Sequence, residues 1–228
     1  MEPVILRTEG VTRIFRSGAG EVRALNNVSI SVPQRSLTVL RGPSGSGKTT
    51  LLNILGGLDL PTSGRAFFQD MEITALSEGQ RDRLRGKEMG FVFQSVALMP
   101  DMTALENVEY GLRIAGMFSS NNRKMAEKSL KEIGLGKRMR HAAYELSGGE
   151  QQRVAIVRGY AHNPKILFAD EPTAELDTAM GIQVLNIFKR LISEQGLTIV
   201  MTTHDPNILE LADRVYTLSD GGLVDGND

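Results

Sequence analysis

The segment Gly42-Pro43-Ser44-Gly45-Ser46-Gly47-Lys48-Thr49 carries the residue types, in the order, that hold a phosphate group. Glycines at these spacings let the backbone fold into a nest whose N–H groups all point at phosphate oxygens, and the positive end of a following helix adds to the attraction. Lys48 has the reach for the terminal phosphates, Thr49 offers a hydroxyl to magnesium, and Thr50 is expected to bind the nucleotide beside them. An ordinary glycine-rich turn is the alternative; the position of the loop, directly after an apolar strand and before a helical run over residues 49–55, argues against it.

A second group is Asp170 with Glu171. They follow Ile166-Leu167-Phe168-Ala169, so two adjacent carboxylates stand at the carboxyl end of a buried strand, the side on which α/β sheets bind ligands. Hydrolysis of a phosphoanhydride needs a metal held by one acidic group and a water oriented by another. Asp170 suits the metal and Glu171 the water.

The third group is Leu146-Ser147-Gly148-Gly149-Glu150-Gln151-Gln152-Arg153. Ser147 with Glu150 three residues on is a capping box, so a helix begins there and presents free N–H groups and a positive dipole end suited to an anion. A capping box needs no ligand. It leaves unexplained the two glycines at the cap, whose simplest use is close approach of backbone to an anion.

The elements that must position these groups follow from apolar patterning. Residues 37–40, 166–169 and 198–201 are short runs apolar on both faces and rich in β-branched types, which predicts buried strands of a parallel sheet. Ile182, Leu185, Phe188 and Ile192 recur at helical spacing, so 178–194 is predicted to be an amphipathic helix laid on that sheet. The fold class is therefore doubly wound α/β. Between Ser95 and Ala161 strand patterns give way to helix formers, predicting a helical subdomain (95–161) inserted into a core built from 1–94 and 162–228 of one domain. Five of the ten methionines (Met99, Met102, Met117, Met125, Met139) lie in it, suited either to an adaptable docking surface or to filling gaps in a small core. Residues 221–228 are expected to be a turn and a frayed end.

The segment from Leu146 to Arg153 resembles the signature of ABC ATPases, and the resemblance spans the chain. The phosphate loop, Gln94 after the strand at 90–93, the carboxylate pair, Ala174-Glu175-Leu176-Asp177, and His204 after the strand at 198–203 stand at matching places. The resemblance implies a P-loop NTPase core with a parallel sheet flanked by helices, an N-terminal antiparallel β portion and an inserted helical subdomain. It also implies two ATP molecules with Mg2+ sandwiched in a head-to-tail pair, formed with a second copy or a close paralogue. Ser147, Gly148, Gly149 and Glu150 of one subunit would then complete the site of the other. By the same resemblance Gln94 links magnesium and the attacking water to a partner-docking cleft, His204 contacts the γ-phosphate, and Asp177 acts across the interface. Phe15 stands where the family usually stacks Tyr on adenine, although it could equally be core. The implied catalytic set is Lys48, Gln94, Glu171 and His204, and the metal set Thr49, Gln94 and Asp170. Glu175 and Glu150 depart from the family's usual small residue and Gln without removing a catalytic group. His141 and His162 read as structural.

Phe91-Val92-Phe93-Gln94 and the stretch 103–108 are similar to the branch containing macrolide-export, lipoprotein-release and cell-division ABC ATPases, which implies a subunit powering a separate integral-membrane permease. Leu98, Met99 and Met102 are expected to cluster in a loop, and docking is expected between Gln94 and Val108. A soluble ABC ATPase of the iron-sulfur assembly type, and a nucleotide-gated regulator of a membrane partner that moves no cargo, are the alternatives.

Bulk properties narrow the partners. A chain of 228 residues, 41% hydrophobic and 23% charged, can bury one substantial core. A net charge of -1 gives no pull toward nucleic acid, which is not an expected partner. Without cysteine there is no disulfide or thiolate metal site, which fits a reducing compartment. Met1-Glu2-Pro3 does not open a secretory signal, and no stretch approaches the ~20 apolar residues of a membrane-spanning helix. The expected location is peripheral, on the cytoplasmic face of the cell's inner membrane.

Overall fold

The computed structural model describes residues 3–18 and 20–224. In chain order the elements are β1 (Val4–Ser17), β2 (Gly20–Val28), β3 (Ser31–Pro33), β4 (Leu37–Arg41), α1 (Lys48–Leu55), β5 (Ser63–Phe68), β6 (Met71–Glu72), α2 (Glu78–Glu88), β7 (Met89–Val92), α3 (Ala104–Ile114), α4 (Asn122–Glu132), α5 (Gly148–Tyr160), β8 (Ile166–Asp170), α6 (Thr178–Gln195), β9 (Thr198–Thr202), α7 (Pro206–Leu209), β10 (Arg214–Ser219) and β11 (Gly222–Leu223). One sheet has the order β11-β10-β4-β9-β8-β7, parallel except where β11 turns back on β10. In the other, β2-β1-β5-β6 with β3 on β1, every pairing is antiparallel.

The parallel strands read as unbroken apolar runs because each is covered on both faces. Leu167 and Ala169 of β8, Ile199 and Met201 of β9, and Leu37 and Val39 of β4 enter one cluster with α3, α5 and α6. Their neighbours Ile166, Phe168, Val200 and Leu40 enter another, with α1 and the antiparallel sheet. Phe168 is fully buried, and Phe168→Ala should cost about 3–5 kcal/mol, read as a drop in the denaturation midpoint.

Helix α6 matches its predicted extent closely, but its buried stripe lies elsewhere. Val184, Leu185, Ile187, Phe188 and Leu191 are buried, whereas Ile182 is 51% exposed. The four-residue repeat picked from sequence follows one edge of that stripe, and its first member falls off the sheet. Near the other end of the chain, Gly222 and Leu223 are not a fray but a short strand, held by pairing with Ser219 and Leu218; residues 225–228 lie outside the described residues.

Helices α3, α4 and α5 stand between β7 and β8. Leu112 of α3, Leu130 of α4 and Val157 of α5 share one hydrophobic cluster with β8, so the helical stretch is joined to the parallel sheet by continuous packing. Met139 is buried, and Met117 and Met125 pack against the same cluster, the gap-filling use; Met99 is 41% exposed. The expected apolar cluster of Leu98, Met99 and Met102 is split, with Leu98 packed inward. Asn107, fully buried, dictates this: its side chain accepts from Met99 N at 2.8 Å and donates to the carbonyls of Met99, Met102 and Thr103, each at 3.1 Å.

Candidate nucleotide site

Gly42, Pro43, Ser44, Gly45, Gly47, Lys48, Thr49 and Thr50 line a cavity of about 570 Å³, together with Ala24, Gln94, Glu171, Ala174 and His204. The loop leaves the carboxyl end of β4 and passes straight into α1. At Gly47, φ is +100° and an added Cβ would lie 2.3 Å from the Ala24 carbonyl, so the backbone of β2 closes the back of the loop and only glycine fits. Helix α1 has no side-chain cap and no acidic residue in its first turn, which leaves its N-terminal donors and dipole uncompensated. Lys48 is buried, with Nζ donating to the carbonyls of Gly42 at 2.9 Å and Pro43 at 3.0 Å, so its ammonium is held against the loop.

Ser46 departs from the expected nest. Its N–H donates to the Pro43 carbonyl at 3.2 Å and its side chain is buried beneath the loop, so it braces the turn where the sequence suggested a donor to phosphate. A tight turn consumes one of its own donors; the neighbours line the cavity instead.

The carboxylate pair is held by a residue outside the sequence motifs, Thr202. Asp170 lies opposite Thr202 in the β8–β9 register. Thr202 Oγ1 donates to Asp170 Oδ1 at 2.6 Å and accepts from Glu171 N at 2.8 Å, while Thr49 Oγ1 donates to the same Asp170 oxygen at 3.2 Å. Glu171 itself has φ +47°, a left-handed conformation costing about 1–2 kcal/mol in a residue with a Cβ. That turn takes its side chain out of the strand's line toward the cavity. His204 Nδ1 lies 3.0 Å from Glu171 Oε2; the imidazole is largely exposed and the carboxylate largely covered. His204 thus meets Glu171 directly, a contact the resemblance did not supply.

Thr49 and Asp170 bring hard oxygen donors to one point, which suits magnesium, an ion that uses one or two protein ligands and fills its shell with water and phosphate oxygens. Gln94, exposed just past β7, lines the same cavity. Behind it, Arg158 of α5 grips the loop by donating to the Val96 carbonyl at 3.1 Å and to the Ala97 carbonyl.

At the start of α5, Ser147 Oγ accepts from Glu150 N at 3.3 Å and the Glu150 carboxylate takes the Ser147 N–H at 2.9 Å. That hydrogen bond from the Ser147 backbone is the main reason the Glu150 carboxyl titrates below its ordinary value; Arg138, 3.2 Å away, adds to it. Two of the expected free donors are therefore spent within the helix, and Gly148 and Gly149 supply the rest. Asp177 caps α6, accepting from Met180 N at 2.9 Å. The lining of the phosphate cavity includes none of Ser147, Gly148, Gly149, Glu150 or Asp177.

Phe15 is 43% exposed on β1 with the Arg13 guanidinium 4.5 Å from its ring centre. It is not core, and it does not line the phosphate cavity. His162 is half-buried, its Nε2 3.1 Å from the Met89 carbonyl, and its partial burial pushes its pKa down. His141 contacts Arg138 at 3.2 Å. A second cavity, about 550 Å³, opens beside β7 and is lined by Leu58, Phe91, Phe93, Tyr110 and Ile114, with Ala97 from the loop after Gln94.

The chain resembles known proteins along nearly its whole length. The family profile described as "ABC transporter" matches residues 25–174. The lipoprotein-releasing system ATP-binding protein LolD of Aquifex aeolicus is 43% identical over 220 residues, 96% of each chain. The macrolide export ATP-binding/permease protein MacB of Syntrophobacter fumaroxidans is 43% identical over 219 residues, 95% of this chain but 31% of that longer protein. A solved dimeric ATP-binding cassette of Methanocaldococcus jannaschii, in a post-hydrolysis state bound to ADP and Pi, superposes with a TM-score of 0.91 at 38% identity over 98% of both chains. The chain belongs to the ABC transporter family as one of its ATP-hydrolysing subunits, in the branch of MacB and LolD.

Proposed function

We propose that two copies of this chain, or one copy with a close paralogue, bind two ATP molecules head to tail and use their hydrolysis to drive a separate membrane permease. The observation that carries this reading is the hydrogen-bonded line from Thr49 through Asp170 and Thr202 to Glu171 and His204, beside the uncapped start of α1. Lys48 and the loop N–H groups bind the terminal phosphates. Thr49, Asp170 and Gln94 hold magnesium, which when bound neutralises charge on the phosphate oxygens. Glu171, oriented by Thr202 and His204, positions the attacking water and takes its proton. Ser147 and the free N–H groups of Gly148 and Gly149 close the far side of the nucleotide on the other subunit, with Asp177 at the same interface, and Phe15 offers its outer ring face to adenine.

The apolar cavity beside β7 is the site we assign to the permease. Its lining of Phe93, Tyr110 and Ile114 adjoins Gln94, so a segment seated there would sense occupancy of the phosphate site. The helical stretch 95–161 would move as a unit when ATP closes the dimer, and hydrolysis would reopen it. Among the described residues no helix is long and apolar enough to cross a membrane. Attachment to the permease would keep the chain at the cytoplasmic face. LolD and MacB are named for lipoprotein release and macrolide export; cargo choice for this chain lies with the permease.

The test is steady-state ATPase activity against protein concentration. Specific activity should rise with subunit concentration and plateau as the dimer fills. Specific activity that stays flat down to concentrations where sedimentation reports only monomer would overturn the dimeric site.

A further inference from the structure

The second glycine of the signature segment faces its own subunit. A Cβ built on Gly149 would lie 2.2 Å from Met180 Sδ, 3.2 Å from its Cγ and 3.3 Å from its Cε, so the thioether of Met180 sits flat on the Gly149 backbone. Gly148, one residue earlier, has nothing within 4 Å of that direction. Close approach to an anion therefore accounts for Gly148 but not for the missing side chain at Gly149, which is filled from within the chain. One turn further along both helices, Arg153 Nη1 donates to Gln183 Oε1 at 2.9 Å, a second tie between α5 and α6.

Met180 also stands at the other end of a local hydrogen bond. Its N–H donates to Asp177, the cap of α6. A single residue thus touches both segments that, on the reading above, reach the nucleotide of the opposite subunit: the start of α5 through its side chain and the start of α6 through its backbone. We infer that Met180 is a positioning residue, whose thioether, seated on Gly149, locks the start of α5 to the capped first turn of α6 so that Ser147 and Asp177 reach the partner site as one rigid piece. Met is suited to this seat, because an unbranched thioether follows an irregular surface that a β-branched side chain could not.

This inference rests on the head-to-tail dimer, and its test separates the two. Gly149→Ala, Met180→Ala and the double variant are made in the Glu171→Gln chain, and two quantities are measured: the affinity of the monomer for ATP with Mg2+, and the ATP-dependent monomer–dimer equilibrium by sedimentation. Monomer affinity should stay within about twofold in all three, since the phosphate loop is untouched. Dimer formation should weaken about tenfold or more in Gly149→Ala, where the new methyl evicts Met180, and less in Met180→Ala. In the double variant the methyl fills the space Met180 leaves, and dimerisation should return to the level of Met180→Ala alone. Equal damage from Gly149→Ala with and without Met180 would overturn the inference, since the glycine would then be serving the partner's nucleotide. If the parent Glu171→Gln chain does not dimerise with ATP, the dimer reading falls by itself. The contact is then judged on thermal midpoints, where purely additive effects of the two substitutions would overturn it as well.

Discussion

The two helix N-termini that the proposed mechanism turns toward phosphate, those of α1 and α5, are built in opposite ways. Helix α1 starts behind Gly47 with no side-chain cap and no acidic residue in its first turn, so an anion is the natural partner for its donors. Helix α5 starts at a complete capping box, with Ser147 and Glu150 satisfying each other and a carboxylate already lying at the positive end of the dipole. The first end is left open for a ligand; the second is stable without one and offers only the N–H groups of Gly148 and Gly149. The proposed composite site gives this asymmetry a use: a subunit would hold its own nucleotide before a partner arrives, and its contribution to the partner's nucleotide would keep its shape when no dimer exists.

The largest effect expected is from Glu171→Gln, which removes the group proposed to act on the attacking water and leaves both helix ends intact. Turnover should fall by about 10²- to 10⁴-fold in a phosphate-release assay, while ATP still assembles a dimer on gel filtration. A variant that stayed monomeric with ATP would mean that the α5 end does not reach across. Next is Thr202→Val, which deletes a donor to Asp170 and an acceptor for Glu171 N. Loss of a hydrogen bond to a charged group costs about 1.5–3 kcal/mol, so turnover should drop roughly tenfold or more with ATP affinity changed far less.

Ser147→Ala sharpens the contrast itself. Removing the cap should cost about 1 kcal/mol of stability by urea denaturation, a loss to which α1, having no cap to remove, has no counterpart. In monomer at low concentration, ATP with Mg2+ should slow amide exchange at the first turn of α1 and leave the first turn of α5 unchanged; protection at both would break the comparison. The smallest effect concerns His162. Burial disfavours its charged form, so its folded pKa lies below the ordinary value of about 6.5 and the unfolded chain takes up the proton first. Stability should therefore fall as pH drops below about 6.5. His162→Gln should flatten that part of the profile in thermal melts taken between about pH 7 and 5.

The phosphate loop, the carboxylate pair and the capping box were legible because each is a contiguous string whose chemistry depends on nearest neighbours. The parallel strands were legible for a related reason: burial on both faces leaves an unbroken apolar run. What sequence missed lies across the chain. Thr202 is an unremarkable hydroxyl until β9 sets it beside Asp170, 32 residues earlier. The inward turn of Leu98 was hidden because it depends on Asn107 binding the loop from the next helix.

The sequence alone determined the kind of chemistry: a phosphate loop ending in Lys48-Thr49, two carboxylates after an apolar strand, and a capped glycine pair. Tertiary structure decided how those groups are held. It set Thr202 between the carboxylates, brought His204 onto Glu171, spent the Ser46 donor inside the turn, and seated Met180 on Gly149. The physical reason is range: hydrogen-bonding capacity and charge belong to each residue, whereas the distance over which they act is fixed only when strands and helices far apart in the chain are packed together.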